Sequence, residues 1–160
     1  VAGWDTFAVV IGGAAGALIG LLFVSVSIRI DVISASPEFR NRGAATLSLF
    51  VSVLFVAILL VIPGQKAWEL GVELLVLAAG LGSLLWWLNR RATVAASTQR
   101  ISRILGTVSP DTITTVLLLA AGALLLVGVD DGVYVVIPAV IAAIAGGIVS
   151  AWLFLIRVTA

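Results

Sequence analysis

The sequence predicts an all-α fold, a polytopic integral membrane helix bundle with five transmembrane helices. Three observations carry that prediction. Of the 160 residues, 62% are hydrophobic and only 11% are charged, against about 25% charged in an ordinary globular protein. The apolar residues fall into five runs near the ~20 residues that a bilayer-spanning helix needs. The basic residues fall in alternate connections between those runs. The spans lie at about 6–28, 44–62, 67–88, 113–129 and 133–156, and residues 1–160 make a single transmembrane domain. The N-terminus has no basic region ahead of its long apolar stretch, so it does not read as a cleaved secretory signal.

The first span carries Gly12, Gly16 and Gly20, four residues apart. On a helix they share one face, with Ala8 extending the row and Gly13 and Ala17 beside it. A face without side chains lets a second helix approach backbone to backbone, a strong packing signal in a bilayer. The second span is announced by Ser36-Pro37-Glu38. This places an N-cap hydroxyl, a proline at the first helical position and an acid in the first turn. Ser109-Pro110-Asp111 repeats that signature before the fourth span. Pro63-Gly64-Gln65 and Asp130-Asp131-Gly132 are short turns, each forcing an antiparallel hairpin. The two hairpins align at an offset of 66 residues, pairing Trp68 with Tyr134, Trp86 with Trp152 and Arg91 with Arg157. They read either as a parallel repeat or as two hairpins sharing the interface residues that any such hairpin has. Thr93 to Val108 is too polar to cross a bilayer. Its apolar positions Val94, Ile101, Ile104, Leu105 and Val108 follow helical spacing, so it is expected to form a short cytoplasmic amphipathic helix.

Orientation follows from the connections. Arg29, Arg40, Arg42, Arg90, Arg91, Arg100, Arg103 and Arg157 lie on one side, eight of the nine basic residues, and only Lys66 lies on the other. The positive-inside rule then puts the N-terminus outside and the C-terminus in the cytoplasm. Trp4, Trp68 and Tyr134 mark the outer interface; Trp86, Trp87 and Trp152 mark the inner one.

Candidate functional residues are few. The glycine row of the first span has a match in the fifth, where Ala139, Ala143, Gly147 and Ala151 form a small-residue row running in the same direction. Gly12, Gly16 and Gly20 would pack there within one protomer, or serve as a contact between subunits. Glu69 and Glu73 share a face of the third span, with Glu73 about 9 Å from its start at 1.5 Å per residue. They would bind a cation, or else sit among the outer headgroups near Lys66. Ser25, Ser48 and Ser52 lend polarity to the inner halves of spans one and two. They would line a narrow hydrated path, or bond back to their own helices. Pro138 is the one proline well inside a predicted span, and a transporter with paired broken helices is not indicated.

The sequence has no Cys, His or Met, which removes disulfides, thiolate chemistry, imidazole acid–base work and metal sites built on those groups. No catalytic residues, cofactors or metal ligands are expected, and the basic side is explained by topology rather than by nucleic-acid binding. Trp4-Asp5, the run from Gly16 to Val24, Pro63-Gly64-Gln65 and Gly71-Val72-Glu73 together resemble a group of small multi-span actinobacterial membrane proteins of unassigned function. Some of that group are labelled modulators of a membrane AAA protease. The resemblance implies a bacterial plasma-membrane setting. The expected role is non-enzymatic: a protein that self-associates or serves as an accessory or regulatory subunit of a larger membrane complex. The alternative is a homo-oligomeric ion channel with Glu73 near its outer mouth.

Overall fold

The computed structural model describes residues 3–28, 30, 37–95 and 109–159, and within these the side chains of all but 37–39, 89, 91–95 and 154–159. The described residues form five α-helices and no strand: α1 (Asp5–Ile28), α2 (Pro37–Val61), α3 (Ala67–Ala95), α4 (Pro110–Leu126) and α5 (Val136–Thr159). A 3-10 helix, Asp130–Val135, leads into α5. Four stretches are long and apolar enough to cross a membrane: Asp5–Ile28, Arg40–Val61, Ala67–Leu88 and Asp130–Leu153. The fifth, Pro110–Leu126, is apolar but shorter, at 17 residues. Large apolar side chains stand fully outward on these helices, among them Val9, Leu21, Val76 and Ile141. Apolar surface on that scale is compatible with a membrane location and not with an ordinary water-facing exterior.

The helix ends follow local chemistry. At α4, Ser109 is extended at φ −77°, ψ 148°, and its Oγ accepts the Thr112 N–H at 3.3 Å. Pro110 then occupies a position whose missing N–H leaves no bond unmade. The same helix ends earlier than its apolar run suggests. Gly128, at φ +86°, takes the left-handed conformation that glycine tolerates. It donates to the Leu125 carbonyl while Val129 donates to that of Leu124, the paired bonds of a Schellman ending. The chain therefore leaves α4 at Leu126, and Asp130-Asp131-Gly132 forms part of the 3-10 helix rather than a bare turn. Pro138 lies in the first turn of α5, where proline is tolerated, and is the ninth residue of the apolar stretch Asp130–Leu153. α3 continues through Ala95, so Thr93 to Ala95 belong to it, and the rest of the expected amphipathic helix lies outside the described residues.

The packing has a clear hierarchy. α2, α3, α4 and α5 close a four-helix arrangement in which α3 lies along α4, α4 against α5, and α5 against α2, with a lighter α2–α3 contact. The core is built from α2 (Leu49, Phe50, Val53, Val56), α3 (Leu70, Leu74, Ala78), α4 (Leu118, Ala121, Leu125) and α5 (Val136, Ala139, Val140, Ala143). Those positions recur at three- and four-residue spacing, one stripe per helix. α1 stands outside this arrangement. It packs along α2 through Ala8, Ile11, Ala15 and Leu22 and barely touches α5. Its N-terminal end is held by Trp4, whose ring meets Phe7 edge-on at 5.4 Å and Tyr134 at 5.3 Å.

Candidate functional site: the small-residue faces and the carboxylates of α3

Close helix contacts occur where glycine removes a side chain, and three of them join the four-helix core. A Cβ on Gly122 of α4 would lie 2.8 Å from the Gly71 carbonyl oxygen of α3; one on Gly71 would lie 3.0 Å from the Gly122 oxygen. The backbones of α3 and α4 therefore touch directly. On α5, Gly147 receives the Phe50 ring of α2, and Gly146 receives the Pro110 ring of α4. Ala139 and Ala143, on the same face, are fully buried. The small-residue row of α5 is thus filled by α2 and α4 of the same protomer.

The glycine row of α1 lies differently. Gly12 approaches α2, where an added Cβ would meet Ala57 Cβ at 3.1 Å. Gly13, Gly16 and Gly20 are exposed, and a Cβ on any of them would meet nothing within 4 Å. The row does not pack on α5 within the protomer: the face of α1 that is buried, Ala8-Ile11-Ala15-Leu22, is turned about a third of a revolution away from Gly16 at 100° per residue. Beside the N-terminal half of the row a broad, shallow apolar groove runs between α1 and α2, lined by Val9, Gly12 and Gly13 on one side and Ala57, Ile58 and Val61 on the other.

The carboxylates at the start of α3 have local partners. Glu69 Oε2 accepts the Lys66 backbone N–H at 3.0 Å. Glu69 is the third residue of α3 and Lys66 precedes the first, so this bond is one half of a capping box. The serine or threonine that usually signals such a box is absent, and sequence reading passed over it. Glu73, half-buried, accepts a short hydrogen bond from the Gln65 amide nitrogen. Gln65 Oε1 is buried without a hydrogen-bond partner. The amide is held this way round because the reverse orientation would set Oε1 against a carboxylate. The amide engages one of the two Glu73 oxygens, and the described residues hold no group of three or more His, Cys, Asp or Glu side chains placed to hold a metal ion.

The serines are satisfied within their own helices. Ser25 donates to the Leu21 carbonyl at 2.8 Å, Ser48 to that of Ala44 at 2.6 Å and Ser52 to that of Leu49 at 2.7 Å. Ser48 and Ser52 are buried, whereas Ser25 is at the α1 surface. At the arginine-rich end Arg90 stacks over the Trp86 ring at 3.9 Å, the cation–π placement suited to a membrane interface. Gly71 and Gly122, which make the tightest crossing, went unremarked as packing residues because neither belongs to a four-residue row. Compared with known proteins, the chain matches no family model, no curated protein and no solved structure.

Proposed function

We propose that this chain is a five-span, non-enzymatic protein of a bacterial plasma membrane, N-terminus outside and C-terminus in the cytoplasm, that works by lateral helix–helix association. The observation that carries the reading is the outward glycine face of α1. Each glycine in a helix costs about 1 kcal/mol relative to alanine, and a Cβ at Gly13, Gly16 or Gly20 would meet none of the described residues within 4 Å, so no close contact among them calls for glycine there. Against lipid tails a bare backbone has nothing to pack on. Against a second helix it allows the close approach on which membrane helix association depends. The groove beside Gly12 and Gly13 continues the same surface onto α2. The protein that fills it is a second copy of this chain or a larger complex to which the chain is an accessory subunit. The arginine distribution supports the orientation. An ion channel draws less support, since the Gln65 amide engages Glu73 and the serine hydroxyls are spent on backbone carbonyls.

Gly16→Leu tests this cleanly. A Cβ at Gly16 would meet none of the described residues within 4 Å, so the fold is expected to survive while association fails. Particle mass in nanodiscs, together with the set of proteins that co-purify, should fall from the native values. Native mass and native co-purification in the variant would overturn the proposal.

A further inference from the structure

At the end of the molecule opposite the α2–α3 turn, α1 and α2 enclose a second, deeper groove of about 200 Å³. Leu22, Phe23 and Val26 of α1 face Gly43, Ala44 and Leu47 of α2 across it, and among the described residues Arg40 is the one charged residue in its lining. Arg40, Gly43, Ala44 and Leu47 are spaced 0, 3, 4 and 7 along α2, so they share one helical face. That face runs about 10 Å, from the guanidinium at one end to apolar side chains at the other. The groove exists because α2 withholds bulk there: a Cβ on Gly43 would meet nothing within 4 Å. Among the described residues no carboxylate pairs with Arg40, whose side chain is exposed.

We infer that this groove is a binding site for an anionic phospholipid, with the phosphate on Arg40 and one acyl chain lying between α1 and α2. Three features select that occupant. The groove is apolar along its length, as a hydrocarbon chain requires. The one charge that the described residues bring to it, on Arg40, is positive and stands at the end, where the headgroup of a lipid aligned with the helices falls. Arg40 precedes the uncharged, apolar run from Gly43 to Val61 of α2, the position of a residue at a membrane interface. Basic pockets between helices at that level are suited to acidic headgroups. A guanidinium also matches phosphate by paired hydrogen bonds rather than as a point charge. The inference rests on the chain lying in a bilayer; it does not depend on which leaflet Arg40 faces or on the association proposed above.

The test is lipid retention by the full chain in mild detergent, read by native mass spectrometry, with dioleoyl phosphatidylglycerol against dioleoyl phosphatidylcholine. The native protein is expected to retain one phosphatidylglycerol in preference to phosphatidylcholine. Arg40→Gln should cut that retention about fivefold and abolish the preference, while Arg40→Lys keeps much of it. Gly43→Leu, which fills the groove and leaves the charge, should reduce retention of both lipids. Equal retention of the two lipids by the native chain would overturn the inference. So would competition by millimolar inorganic phosphate, or full retention of both lipids in Gly43→Leu, which would place the lipid outside the groove. Gly16→Leu should leave lipid retention intact, which separates this site from the association surface. Resistance of the native chain to carbonate extraction from vesicles tests the membrane setting by itself.

Discussion

α1 and α5 carry the same kind of pattern and use it in opposite ways. Each has small residues at four-residue spacing, Gly12-Gly16-Gly20 in one and Ala139-Ala143-Gly147 in the other, and the two helices run in the same direction. The α5 face is buried and filled; the α1 face is bare beyond Gly12. The difference lies in what stands opposite. α5 meets two rigid rings, Phe50 and Pro110, at the two adjacent glycines Gly147 and Gly146. α1 meets only the small Ala57. A row of small residues therefore declares that a helix will be approached closely. The complementary bulk decides by whom, and for Gly16 and Gly20 the described residues supply none.

The comparison can be broken first at its filled side. Phe50 is almost fully buried and its ring occupies the space at Gly147. Phe50→Ala should remove about 3–5 kcal/mol, the usual cost of emptying such a site. Thermal unfolding in detergent would read it as the largest loss among these variants. Gly122→Ala should come next, at about 1–3 kcal/mol of overpacking. Its new Cβ would lie 2.8 Å from the Gly71 carbonyl oxygen, and a backbone atom cannot swing aside. Gly147→Ala belongs to the same class, eased somewhat by the freedom of the Phe50 ring. If either glycine variant unfolds at the native temperature, these crossings are looser than the structure has them.

A smaller effect is expected at the start of α4. Ser109→Ala removes the hydroxyl that accepts the Thr112 N–H and should cost about 1 kcal/mol. This element was fully legible in the sequence, because Ser-Pro-Asp acts through chain-local geometry and needs no tertiary partner. The end of the same helix was less so. The apolar run continues to Val129, and only the left-handed turn at Gly128 shows that the helix stops at Leu126. Membrane character and the number of apolar segments were likewise legible, since both depend on composition summed along the chain. Packing partners were not. In a lipid environment the inward and outward faces of a helix are almost equally apolar, so hydropathy does not distinguish Ala15, which is buried, from Ala17, which is exposed. The α3–α4 crossing at Gly71 and Gly122 is set by shape alone, and neither glycine stands in a repeating pattern. Glu69 and Glu73 were visible as carboxylates near the outer end, but their partners, the Lys66 N–H and the Gln65 amide, depend on how the turn folds back.

The sharpest form of the comparison is one substitution made on both helices. Gly16→Ala and Gly147→Ala each add a single methyl group. On α5 the methyl enters the Phe50 ring; on α1 it enters open space. In the isolated protomer Gly16→Ala should therefore be neutral or slightly stabilising, by up to about 1 kcal/mol, because alanine forgoes the entropy that glycine loses on entering a helix. In the assembled state the sign reverses. A helix seated on the row at backbone distance has no room for the methyl, so association should weaken while the unfolding temperature of the dissociated chain holds or rises. Measuring both on one sample, by particle mass across a dilution series and by thermal unfolding at its dilute end, separates a face used between chains from one that merely meets lipid. If Gly16→Ala raises stability and leaves particle mass unchanged at every dilution, the α1 row is a lipid-facing surface and the likeness to α5 ends at spacing.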